Sequence, residues 1–227
     1  MRLIIAEKPS QAQKLAAPYP SKKRKDEIEI SPCPRFPEGA IVVWAVGHLC
    51  ELQEPSHYRP EWKSWKYEAL PIVPERFDYR ISKGKSKPFY AIKKWLHDRS
   101  ITDVIIASDA EREGEAIVRL ILRLAGNKKP LARLWISSLT EQAVDRGFSQ
   151  LLPGEQTIPY YHEAMSRACA DWLVGMNASR AYTTLLKTIG IEDVFSLGRV
   201  QTPTLALIVN REREIKQFVP EPYFEVE

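Results

Sequence analysis

Asp109, Glu111, Glu113 and Glu115 crowd one short stretch of sequence, with only Arg112 among them as a countercharge. Two unit charges 4 Å apart near a protein surface repel by roughly 4 kcal/mol. Such a cluster needs a bound cation, raised pKa values or wide exposure to water. Hard oxygen ligands with room for water suit Mg²⁺. An acidic first helical turn, favoured by the helix dipole, would explain the same run without any chemistry. A further acid, Glu7, is followed directly by Lys8.

Both acidic points end apolar runs. Val104-Ile105-Ile106-Ala107 and Leu3-Ile4-Ile5-Ala6 read as strands buried on both faces. Each run breaks abruptly. Helical spacing over 116–124 follows the first, and Ser10 is placed to cap a helix to about Ala17 after the second. In an open α/β sheet, ligands bind in the crevice beyond the carboxyl ends of the strands. Parallel pairing would bring Glu7 close to Asp109 and Glu111. An extended acidic turn would aim Asp109, Glu111 and Glu113 to one side. An early helix start would instead pair Asp109 with Glu113 and Glu111 with Glu115.

The remaining pattern supplies the frame. Residues 27–30 and 40–46 read as a hairpin pair around a Pro-rich link, after the solvated charge run Lys22-Lys23-Arg24-Lys25. Gly47-His48 follows a strand end. Residues 55–74 are proline-punctuated and aromatic, with Tyr58, Trp62, Trp65 and Tyr67 beside Lys63 and Lys66. Such loops suit base stacking and phosphate contact, or anchor a long loop onto a core. A strand over 77–81, helices over 88–97 and 140–151, and a strand over 131–136 complete an alternating order that predicts a largely parallel α/β layer. Gly126 is a helix stop, and Pro153-Gly154 marks a boundary. Beyond it the period is helical: one long or broken helix over 158–188, a stop at Gly190, and a helix over 203–218. Arg180, Lys187 and Arg199 could form one basic face with Trp172. A Gly beside Arg, Gln and Thr at a helix start offers N–H groups and a guanidinium to phosphate.

Composition sets limits on the class. At 227 residues, 44% hydrophobic and 27% charged, the chain reads as an ordinary globular protein. No apolar run approaches a membrane span, and Glu7 and Lys8 interrupt the first apolar run too early for a signal peptide. Three cysteines without C-x-x-C spacing argue against zinc or a disulfide framework and fit a reducing cytoplasm. A net charge of +4 is mild, so nucleic-acid binding would need a local basic patch.

Several motifs, in order, resemble the type IA DNA topoisomerases, and within them the topoisomerase III group. These are Ile4-Ile5-Ala6-Glu7-Lys8-Pro9-Ser10, Gly47-His48-Leu49, Leu70-Pro71-Ile72-Val73-Pro74, Ser108-Asp109-Ala110-Glu111-Arg112-Glu113-Gly114-Glu115, Ala170-Asp171-Trp172-Leu173 and Ser196-Leu197-Gly198-Arg199-Val200-Gln201-Thr202-Pro203. The acidic motif alone would indicate only a Toprim domain, shared with primases, type II topoisomerases and some nucleases. The resemblance implies an α/β Toprim fold over 1–153, Rossmann-like, with a mainly parallel sheet between helices. It implies a mostly α-helical segment over 154–227, the first part of a DNA-binding domain.

The activity implied is cleavage of one DNA strand through a tyrosine, passage of another strand and resealing, dependent on Mg²⁺ and without ATP. By position, Glu7 would handle the proton on the 3′ oxygen and stand near the metal. Lys8 would steady the scissile phosphate. Asp109 and Glu111 would hold Mg²⁺, with Glu113 in support. Trp65, Trp172, Arg180, Lys187 and the segment Ser196, Leu197, Gly198, Arg199, Val200 and Gln201 would touch single-stranded DNA.

Two departures stand out. The family usually has Asp where this chain has Glu111, which keeps the ligand oxygen but moves it. None of the tyrosines lies in the Ser-Tyr-Pro-like context of the family nucleophile. The chain therefore reads as an N-terminal fragment, completed by other domains of the same polypeptide and inactive alone, with residues 222–226 a strand leading onward. Two other readings remain open: a metal-dependent nuclease or primase-like Toprim enzyme, and a DNA-binding module without chemistry.

Overall fold

The first strand of the chain, β1 (Arg2–Ala6), is central to a seven-stranded sheet and is followed by helix α1 (Pro9–Ala16). Next come β2 (Ser21–Lys23), β3 (Ile28–Ile30), β4 (Ala40–Trp44) and β5 (Cys50–Leu52). The short α2 (Pro55–Tyr58) precedes β6 (Tyr79–Ile81) and α3 (Ser86–Leu96). Strand β7 (Asp103–Ile106), helix α4 (Arg112–Ala125), β8 (Leu131–Arg133), α5 (Glu141–Ser149) and β9 (Leu152–Pro153) follow. Helices α6 (Ile158–Lys187) and α7 (Gln201–Lys216) complete the order. This computed structural model describes residues 1–226. The chain divides into two compact units, one of residues 1–53 and 76–169 and one of residues 54–75 and 170 onward.

In the first unit the sheet runs β2-β3-β4-β1-β7-β8-β9. Its centre, β4-β1-β7-β8, is parallel, while β2, β3 and β9 pair antiparallel at its margins. The mainly parallel sheet expected from sequence is thus a mixed one. The links joining β2, β3 and β4 hold no helix and allow antiparallel pairing, and β9 returns antiparallel to β8 after α5, whereas the crossover helices α3 and α4 serve the parallel centre.

Alternating side chains of the central strands bury on opposite faces. Leu3, Ile5, Val104 and Ile106 pack with Phe89, Ile92, Val118 and Ile121 of α3 and α4. Ile4, Val42 and Ile105 pack with Leu15 of α1 and with Val144 and Phe148 of α5. Each fully buried side chain of this size contributes about 1.5–3 kcal/mol, so the strand ends are fixed by a core on both sides. Helix α4 stops at Gly126, whose φ of 75° is the left-handed conformation a glycine adopts freely.

In the second unit, α6 offers two faces to different partners. Asn177 donates to Ile72 O at 2.9 Å and accepts from Ile72 N at 2.6 Å, so it pairs with backbone like a strand. Arg180 donates to Trp62 O at 2.7 Å. On another face Ser179 and Thr183 bond the backbone of Leu197 and Phe195. Residues 218–226 form no regular element, so the strand expected over 222–226 is not present. A strand forms by pairing, and none of the described residues pairs with this stretch.

Candidate functional site

The two acid-bearing turns are adjacent because β1 and β7 are parallel neighbours, with Ile5 opposite Ile106. Ala107 N–H continues the ladder to Ile5 O at 2.9 Å. One residue further each chain leaves the sheet, and Asp109 N–H points to Glu7 Oε2 at 3.4 Å. Lys8 Nζ lies 3.3 Å from Asp109 Oδ2. The Lys8 ammonium is held above the ordinary lysine pKa, first by its hydrogen bond to Asp109 and then by the charges of Asp109 and Glu7. It is a firm cation at neutral pH.

Local chemistry fixes each turn. Helix α1 starts at Pro9, which fits the first helical position because it needs no N–H. Lys8 is therefore the N-cap, and Ser10, expected to cap, lies inside the first turn. On the other turn Glu111 is the extended N-cap of α4, and its N–H donates to Asp109 O at 2.8 Å. The helix thus starts after Glu111, which leaves Asp109 and Glu111 on the turn and puts Glu113 in the first helical turn. Gly114 packs against the turn so closely that a Cβ there would stand 2.3 Å from Asp109 O. Ser108 Oγ donates to Gly114 O at 2.8 Å and closes the loop.

Beneath the turn lies a buried ionic group that sequence reasoning missed. Glu115 and Arg133 are both fully buried and directly paired. Arg119 joins from the other side at 2.6 Å, and Thr157 donates to Glu115 at 3.1 Å. Arg133 also donates to Ser108 O at 2.9 Å and Asp109 O at 2.7 Å, which pins the acidic turn from below. Burial pulls the Arg133 pKa down and the adjacent Glu115 opposes that; an arginine stays charged at neutral pH regardless. The i,i+4 spacing of Glu115 and Arg119 was the one available signal. Beside Ala110 an open groove of about 430 Å³ is lined by Trp135, Ser137, Arg146 and Gln150, which the sequence did not mark either.

Of the expected ligands, Asp109 and Glu111 share one tight turn and Glu7 adjoins them, while Glu113 faces His48 at 3.6 Å. Among the described residues no three acidic, histidine or cysteine side chains converge in ligating geometry. Mg²⁺ keeps several waters and is usually bound through one or two carboxylates with substrate phosphates completing the shell. An all-carboxylate pair on an open turn fits that demand.

The expected DNA contacts fall in the second unit. Trp65 is 42% exposed, with the Arg180 guanidinium 5.3 Å from its ring centroid. Arg180 itself is only 5% exposed, and burial lowers its pKa. Lys187 lies 3.9 Å from Glu192, Arg199 bonds Asp171 at 2.9 Å, and Trp172 meets Tyr58 edge-on. The three cations thus have separate partners, and buried Arg180 does not share an exposed face with Lys187 and Arg199. The segment 196–201 is exposed apart from half-buried Leu197 and Gly198, and Gln201 Nε2 donates back to Ser196 O at 2.9 Å. No helix among the described residues is long and apolar enough to cross a membrane.

Two family models match successive parts of the chain. The family model described as the Toprim domain covers residues 2–139, and that described as DNA topoisomerase covers residues 155–227. DNA topoisomerase 3 of Bacillus licheniformis is 44% identical over 98% of this chain and 29% of its own length. DNA topoisomerase 3 of Staphylococcus aureus is 44% identical over 98% of this chain and 30% of its own. The chain therefore spans under a third of the curated relatives it matches. Full-length topoisomerase I from Thermotoga maritima shares the fold with a TM-score of 0.60, at 23% identity, over 96% of this chain and 31% of that one. With more than half its length in the Toprim family and its remainder in the DNA topoisomerase family, the chain belongs to the type IA DNA topoisomerases.

Proposed function

We propose that this chain is the N-terminal part of an enzyme that cleaves, passes and reseals single-stranded DNA without ATP and with Mg²⁺, in the cytoplasm. In this reading residues 1–153 carry the phosphoryl-transfer centre and residues 154–227 begin the DNA groove. The nucleophilic tyrosine comes from the remaining domains of the same polypeptide. The observation that carries the reading is the abutment of two turns, with Lys8 3.3 Å and the Glu7 carboxylate 3.4 Å from the two ends of Asp109.

Glu7 gives a proton to the leaving 3′ oxygen on cleavage and takes it back on resealing, a reversible transfer that suits one acid serving both directions. Lys8 places a fixed positive charge where negative charge develops on the phosphate. Asp109 and Glu111, with Glu113 in support, would hold Mg²⁺, which would supply charge neutralisation at the phosphodiester. Trp65 and Trp172 offer faces for base stacking, and Arg180 steadies Trp65 from behind. Lys187 and the segment Ser196, Leu197, Gly198, Arg199, Val200 and Gln201 follow the strand's phosphates.

The test uses the full-length polypeptide and a labelled single-stranded oligonucleotide. With Mg²⁺ it should form a 5′-linked covalent complex and relax supercoiled DNA, and Asp109→Asn should lower relaxation by at least about a hundredfold. Cutting with no protein–DNA link would make it a nuclease. Binding that is indifferent to both Glu7→Ala and Asp109→Asn, with no cutting, would leave a binding module only.

A further inference from the structure

Gln11 occupies the third position of α1, where a capping-box residue normally reaches back to the N-cap N–H. Here it reaches one residue further. Its amide oxygen accepts the Glu7 N–H at 2.8 Å, and its amide nitrogen donates to Asp109 Oδ1 at 2.8 Å. The side chain is 3% exposed. Its orientation is unambiguous, because a backbone N–H can only donate and an ionised carboxylate can only accept. The other Asp109 oxygen faces Lys8. The Asp109 carboxylate is thus gripped between a buried amide and an exposed ammonium, and the Glu7 and Asp109 turns are laced together by one side chain. An apolar residue of the same size would fill this space without the cost of burying an amide. What the amide adds is direction.

We propose that Gln11 is a positioning residue for the phosphoryl-transfer centre: it sets the orientation of the Asp109 carboxylate and its spacing from the Glu7 turn. This rests on the function proposed above. Groups that orient a ligating carboxylate typically change metal affinity or activity by about 10–100-fold when removed. Gln11 should therefore act on catalysis and on cation binding, and not on DNA affinity.

The experiment uses the full-length protein with Gln11→Met, which keeps the volume and loses both bonds. Gln11→Asn is the second variant; it keeps a buried amide but is too short to span both partners, and it guards against loss of folding in the first. Mn²⁺ binding without DNA is followed by electron paramagnetic resonance. Cleavage kinetics on a single-stranded oligonucleotide are split into kcat and KM. Expected are a Mn²⁺ affinity and a kcat each about tenfold lower for Gln11→Met, a smaller loss of both for Gln11→Asn, and an unchanged KM. A purely structural role would lower the melting temperature and leave Mn²⁺ affinity and kcat, measured well below melting, within twofold of the parent. That result, or a change in KM alone, overturns the inference while Asp109→Asn still abolishes cleavage. If Asp109→Asn itself leaves Mn²⁺ affinity and cleavage intact, the functional reading fails instead.

Discussion

Glu115 belongs to the same row of acids as Asp109, Glu111 and Glu113, yet it is fully buried between Arg119 and Arg133. The row is legible in sequence as a concentration of charge, but burial sorts its members. Asp109 and Glu111 precede the helix and stay at its mouth, while Glu115 has turned inward by the second half of the first turn. Nothing local marks Arg133 as its partner, because that contact depends on β8 lying beside β7. Removing one member of a buried ion group leaves an uncompensated charge, which costs about 3–5 kcal/mol. Glu115→Gln, nearly isosteric, should therefore lower stability by about that amount and loosen the Asp109 turn that Arg133 pins. Urea denaturation of the first unfolding transition measures it; a shift below about 1 kcal/mol would mean the charges are solvated after all.

At the scale of elements, the sequence showed the central strands and the long helices, but not the short strands β2, β5 and β9, and element ends less well. The apolar runs of β1 and β7 and the Gly126 stop stand where expected, because buried strands and left-handed glycines are set by local chemistry. The N-cap of α1 is Lys8 and not Ser10, since proline pre-sets the first helical residue at Pro9. A further pattern in α6 went unread: Asp171, Gly175, Ser179 and Thr183 recur every four residues, so they form one stripe. Along it the 195–199 segment is stitched down. Arg199 bonds Asp171, Leu197 bonds Ser179, Phe195 bonds Thr183, and a Cβ on Gly175 would lie 3.3 Å from Leu197 O. Each hydrogen bond of this kind contributes about 0.5–1.5 kcal/mol. The double variant Ser179→Ala/Thr183→Val should free the segment and lower affinity for single-stranded DNA about five- to tenfold, by roughly 1–1.4 kcal/mol. Fluorescence anisotropy on an oligonucleotide decides the matter, and an unchanged affinity would show that the segment need not be ordered before DNA arrives.

For the whole molecule, chain order and compact units divide the sequence differently. A change of period at Pro153-Gly154 is visible in the sequence, but residues 54–75 belong with the unit that begins at residue 170, more than ninety residues later. No periodicity could reveal that, since it depends on Asn177 pairing with Ile72 and Arg180 with Trp62. In the same way, residues 154–169 lie with the first unit, where Thr157 and the Gly154 carbonyl satisfy Glu115 and Arg119. The two ends of the 54–75 insertion are themselves close together. Leu52 pairs with Tyr79 in the β5–β6 hairpin, and Gln53 N–H donates to Asp78 O at 2.9 Å. A chain of residues 1–169 with 54–75 replaced by a short Gly-Ser turn should therefore fold cooperatively. A chain of residues 1–153 should not, because it leaves Trp62 and Ile72 without their α6 partners and takes the Gly154 and Thr157 acceptors from Arg119. Circular dichroism melting and limited proteolysis of the two chains compare them directly. Equal melting temperatures, or protection of residues 54–75 from protease in the shorter chain, would show that the insertion finds its stability within residues 1–153.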